Sequence, residues 1–174
     1  MITLRTVPTE ASSDAIGLLL ECHERIRRFS RLAVRIATDP APEKDVKDAA
    51  FAVHRYFHKA LPLHIQDEDL SLRPMLTAAG TAQVAQALDR MHGEHGPIDA
   101  QVEALMPMWR RLMEDPAALD ELRPAMTPLA QALEEAMLAH LAHEEEVIFP
   151  AARQFLDADR LNDLAGQMRD RRRP

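Results

Sequence analysis

The sequence predicts an all-α protein: an up-down-up-down four-helix bundle with a short C-terminal helix, a single domain over residues 1–174. Three observations predict it. The chain is 47% hydrophobic yet only 4% aromatic, with Ala, Leu and Met abundant, a composition that favours packed helices. Apolar residues recur at helical spacing over long stretches, and no stretch alternates with the period of two that a half-buried strand needs. Pro, Gly and capping residues divide the chain into four long segments and one short one.

Each element follows from this punctuation. The cluster Ser12-Ser13-Asp14 is an N-cap, and the first helix runs from it to Thr38, where DPAP breaks it. The second starts near Pro42-Glu43 and runs to Ala79, with Gly80 as its stop and Pro62 as a kink just ahead of His64. The third runs from a Thr81 cap to Glu114 and contains Gly93 and Pro97, a pair in which the proline ring presses on the least encumbered residue four back. AALDEL at 117–122 is read as a short helical connector, followed by a fourth helix from Pro124 to about Leu156 and a last one over roughly Asp159–Met168. Helices of ~25–35 residues are ~40–50 Å long, and short connections between them favour antiparallel neighbours.

The formal charge of −7 argues against nucleic acid as the main partner. The basic end, RDRRR at 169–173, is read as capping and solvating the last helix. The longest apolar run, AIGLLL at 15–20, is far too short to span a membrane, and MITLRTVPTEASS has no signal-like core. A lone cysteine, Cys22, permits no internal disulfide and is read as a small buried residue; a cytoplasmic protein is the expectation.

Function is written in a repeat. HIQDEDLSLRP at 64–74 and HLAHEEEVIFP at 140–150 each carry His, a glutamate four residues on (Glu68, Glu144), a second acid beside it (Asp69, Glu145) and a proline at the end (Pro74, Pro150). CHERI at 22–26 and EHGPI at 94–98 each carry one His with Ile three residues later. The chain therefore reads as two related helical hairpins that bring His23, His64, His95, His140, Glu68 and Glu144 to one point in the core. Residues i and i+4 share a helix face, so each HxxxE pair interrupts an apolar seam. A buried imidazole or carboxylate costs several kcal/mol unless paired or bound to metal. A metal cluster removes that cost: carboxylates bridge two hard cations and imidazoles fill terminal positions, a donor set that suits iron. The Glu-x-x-His pattern of ferritin-like bundles does not occur, nor do HExxH or CxxC zinc patterns.

LLECHERIRRF, YFHKALPLHIQDEDLSLRPML and AHLAHEEEVIFPAARQFLDADRLNDLAGQMRDRR resemble the first, second and fourth helices of hemerythrin-like, HHE cation-binding domains. The resemblance covers about residues 15–172. It implies a four-helix bundle around two iron ions with oxo or hydroxo and carboxylate bridges, His23, His64, His95 and His140 as terminal ligands, and Glu68 and Glu144 as bridges. Another divalent metal such as zinc is the alternative. The third helix carries HGEH where the invertebrate oxygen carriers have HxxxH, so it supplies His95 alone or His92 and His95 together.

The remaining polar residues near the motifs have plainer readings. Asp67, Asp69, Glu145 and Glu146 are solvated or hold imidazole N–H groups, with ligation by Glu145 the lesser alternative. His54, His58 and His143 are surface residues, and Tyr56 and Trp109 pack. The functions implied are binding or sensing of O₂, NO or redox state, or the holding of iron. The alternatives are a di-iron oxidoreductase consuming peroxide or NO, and a metal-free helical interaction module.

Overall fold

The computed structural model describes residues 14–173, all of them in helices, turns or short connections, with no strand among them. Helix α1 spans Ala15–Thr38. Helix α2 covers 43–79 and is continuous through two wide π turns, Tyr56–Ala60 and Glu68–Leu72. Helix α3 spans Ala82–Glu114. Helix α4 covers 119–155, with a π turn at Glu144–Ile148, and α5 spans Ala158–Asp170.

Local chemistry sets most of the ends. The Asp14 carboxylate accepts from the Gly17 N–H at 2.6 Å and caps α1; the Ser12 and Ser13 of the expected cap cluster lie outside the described residues. Thr81 caps α3 and Asp157 caps α5 in the same way, which moves the start of α5 one residue ahead of the sequence expectation. At Gly80 the chain leaves α2 in an extended conformation, and a Cβ there would stand 2.8 Å from the Leu76 carbonyl oxygen and 3.0 Å from the Val84 side chain. Gly80→Ala is therefore expected to lower stability by about 1–2 kcal/mol in chemical denaturation.

Two expectations need correcting. Helix α4 begins at Leu119, directly after a 3₁₀ turn at Pro116–Ala118, and not at Pro124. Pro124 and Pro128 lie inside it on its exposed face, so the carbonyls they leave without donors, at Asp120 and Pro124, are open to water. Pro62 does not simply kink α2: it follows a π turn, as do Pro74 and Pro150. A π turn bonds i to i+5, widening the helix just where each proline ring needs room and has no N–H to give.

The core explains the placement of the polar residues. Two separate apolar clusters fill the bundle. One contains Ile26, Phe57, Leu61, Ile98, Trp109 and Met137. The other contains Leu19, Leu72, Leu88, Ile148, Phe149 and Leu164. Every long helix passes from one cluster to the other, and their order alternates, which gives the up-down-up-down arrangement. Helix α1 packs against α2 and α4, and α3 against the same two. Between the clusters each helix presents a buried His, Glu or both.

Helix α5 closes the second cluster with Leu164, Ala165 and Met168. The basic end beyond it is not simply solvated. Arg171 and Arg172 reach the fully buried Asp67 at 2.9 and 2.6 Å, and Arg171 also donates to Ser71. Asp67 thus ties α5 to α2. Removing its charge would leave two arginines without their anionic partner, so Asp67→Asn is expected to cost about 2 kcal/mol and to loosen α5 selectively in hydrogen exchange.

Candidate metal centre

The polar layer between the two clusters is made by six side chains from four helices. His23 comes from α1, His64 and Glu68 from α2, His95 from α3, and His140 and Glu144 from α4. All are buried: His23, Glu68 and Glu144 are 0% exposed and His95, the most open, 5%. The HxxxE spacing works as expected within α2 and α4, with His64 Nε2 2.9 Å from Glu68 and His140 Nε2 3.5 Å from Glu144. The bundle adds the cross-links: His23 Nε2 lies 3.1 Å from Glu144, and His95 Nε2 lies 3.3 Å from Glu68.

These six residues form two overlapping groups. His23, His64, Glu68 and Glu144 make one; Glu68, His95, His140 and Glu144 make the other. In each group one donor atom per residue falls within 4.8 Å of all the rest, close enough for a single cation to touch all four. Both glutamates belong to both groups, and the imidazoles divide two and two.

The outer faces of the imidazoles fix their chemistry. His23 Nδ1 donates to Glu145 at 2.7 Å, His95 Nδ1 to Asp69 at 3.1 Å, and His140 Nδ1 to Glu94 at 2.9 Å. A carboxylate can only accept, so each Nδ1 carries a proton and each ring turns its Nε2 inward. Arg27 in turn holds Glu145 at 2.8 Å, and Arg90 holds Glu94 at 2.8 Å. Such outer carboxylates orient metal-binding imidazoles and raise their basicity. Asp69 and Glu145 were foreseen as holders of imidazole N–H. Glu94 was not, because nothing in the sequence near His140 points to a residue on another helix.

The inward atoms show that the layer suits a cation. Both oxygens of Glu68, both of Glu144, and Nε2 of His23, His64 and His95 are buried without a hydrogen bond, although they lie within a few ångströms of one another. Lone pairs facing lone pairs in a low-dielectric core repel unless protons or cations sit between them. Protons do part of this in the metal-free protein. Burial pushes Glu144 up to about 7, reinforced by the Glu68 charge. Burial also disfavours the charged His64, but neighbouring Glu68 outweighs it and raises the imidazole well above its usual range. Glu68 is held well below the carboxylate range, its own burial overcome by His64. Burial lowers His140 despite the attraction of Glu68. A bound cation would relieve this repulsion, and the imidazole and carboxylate donors fit iron.

The other named residues fall outside the two groups. His92 is half exposed and donates to Asp69 at 2.9 Å, forming with Asp69 and His95 a third, outer group. Asp67 pairs with arginines, and Glu146 is exposed. His143 reaches the Ala87 carbonyl at 3.1 Å, and Trp109 stacks on Phe57 in the core. None of the helices described is long and apolar enough to cross a membrane.

Residues 14–169 match the family model described as the hemerythrin HHE cation-binding domain. A Haemophilus influenzae protein described as an uncharacterized protein is 25% identical over 164 residues, which cover 92% of this chain and 91% of that relative.

Proposed function

The chain belongs to the hemerythrin HHE cation-binding domain family, and on that premise we propose that its polar layer holds two iron ions and binds or senses O₂, NO or redox state in the cytoplasm. In this reading His23 and His64 would serve one ion, His95 and His140 the other, and Glu68 and Glu144 would bridge the pair. The observation that carries it is the sharing of both buried glutamates by two adjacent four-donor groups. When bound, such a pair supplies reversible electron transfer and a place for a small ligand, as His and carboxylate donors with open positions do for non-haem iron.

The chain's own residues do the rest. Glu145, Asp69 and Glu94 keep three imidazoles in the tautomer that faces the ions. The two apolar clusters exclude water from above and below the layer. His92 steadies Asp69 from outside and is not assigned as a ligand. Glu68 and Glu144 would supply two negative charges against those of the bound ions.

Anaerobic reconstitution with Fe(II), followed by metal counting and admission of air, tests this reading. Two irons per chain and a new near-ultraviolet absorption in air are expected. Folded protein that retains no iron would overturn it, and retention of zinc alone would move the assignment to that metal. Acid should also weaken binding. Glu144, raised to about 7, must lose its proton to ligate, so apparent affinity is expected to fall as pH drops below about 7. Metal titrations between pH 5 and 8 measure that slope; a flat profile would count against ligation by Glu144.

A further inference from the structure

A second feature lies against one side of the polar layer. Between α1, α2 and the residues that follow α5 is a cavity of about 620 Å³, open to solvent on one side, in the size range of small-molecule sites. Its inner wall includes Cys22 and His64. His64 is the odd member of the four central imidazoles: its Nδ1 is buried with no hydrogen-bond partner, where the other three are held by carboxylates.

The lining has two chemistries. Phe29, Phe51, Tyr56 and Leu63 give it an apolar surface, with Phe29 stacked on Tyr56 at 4.1 Å and Phe51 52% exposed. Arg25, Arg55, Lys59 and Arg172 surround this surface, and no acidic side chain among the described residues lines the cavity. In a chain of net charge −7 such a lining runs against the overall balance. Arg172 is neutralised by Asp67. Arg55 and Lys59 form no ion pair among the described residues, and Arg25 reaches only the Cys22 sulfur, at 3.2 Å. Three uncompensated cations around an open aromatic surface favour a ligand with a negative group and an apolar body.

We propose that this cavity binds an organic carboxylate with a hydrocarbon or aromatic body. The acid pairs with Arg25, Arg55 and Lys59, and the body covers Phe29, Phe51 and Tyr56. A concave site of this volume favours a small molecule over a flat membrane surface or a folded partner. Binding at this cavity does not depend on the metal assignment; only its adjacency to a metal through His64 rests on that reading.

Calorimetric titration of the metal-free protein tests it, with octanoate, 1-octanol and acetate as probes. Octanoate is expected to bind saturably at one per chain, at least tenfold more tightly than octanol, with acetate giving no resolvable heat. The double variant R55E/K59E alters exposed, unpaired side chains and is expected to keep the parent's circular dichroism and melting temperature while weakening octanoate at least tenfold. Phe51→Ser should weaken octanoate as well. Equal affinity for octanol and octanoate, unchanged octanoate binding by the charge-reversed variant, or association only with anionic lipid vesicles would each overturn the proposal. Because no metal is present in the titration, its failure and the failure of iron to bind are separate results.

Discussion

Glu68→Gln and Glu144→Gln are each expected to abolish binding of both metal ions, whereas His64→Ala or His140→Ala weakens one ion far more than the other. The asymmetry follows from membership of the two groups. Each glutamate offers atoms to both, while each imidazole serves one. Replacing a carboxylate by an amide keeps the shape and removes a charge that both four-donor groups would share. Loss of at least a hundredfold in affinity for both ions is expected, about 2.7 kcal/mol or more for each. Metal counting by mass spectrometry after anaerobic loading and gel filtration reads this directly. Retention of two ions by either glutamine variant would show that the glutamates do not bridge.

Removing metal is expected to lower the melting temperature by roughly 10–20 °C. Two ions held at a hundred times their dissociation constants contribute ~5 kcal/mol, and a chain of this length shifts by ~2–4 °C per kcal/mol. A differential scan of loaded protein against protein stripped with a chelator gives the comparison. The same experiment on His64→Leu separates a metal layer from a merely structural polar layer. In the stripped protein this substitution removes only the pairing of the imidazole with Glu68, a modest destabilisation that protonation of the freed carboxyl limits. In the loaded protein it removes a ligand and is expected to be strongly destabilising. Equal effects in both states would argue for a metal-free interaction bundle.

The outer acids should act more gently. With Glu145→Gln, an amide that can present its oxygen to the His23 N–H and keep the imidazole oriented, the expected loss of metal affinity is near tenfold, the low end for outer partners of metal-binding imidazoles. Glu94→Ala leaves His140 with nothing to orient it and should cost nearer a hundredfold. Metal titrations in competition with a chromophoric chelator resolve both.

The sequence by itself determined what depends on neighbours along the chain. The caps at Asp14 and Thr81 and the stop at Gly80 involve groups within a few residues of one another, so the helix ends they set were legible. The HxxxE pairs were legible for the same reason, since one helical turn places both side chains on a single face. Even the proline ten residues after each His carried information. It marks the π turns that begin at Glu68 and Glu144, which no local rule in the sequence suggested.

The remaining contacts join residues far apart in sequence. Glu94 reaches His140 across 46 positions, Arg172 reaches Asp67 across 105, and Glu145 reaches His23 across 122. No local periodicity records such pairs, because they arise from how helix faces meet after the apolar seams have packed. The start of α4 at Leu119 belongs with them: propensity places the boundary at a proline, but packing of Leu119 into the core and exposure of Pro124 and Pro128 to water overrule it. The cavity beside His64 arises the same way, from one face of α1, one of α2 and the arginine that follows α5. Short-range chemistry wrote the helices and the ligand spacing, and the docking of amphipathic faces selected which charges they were to meet.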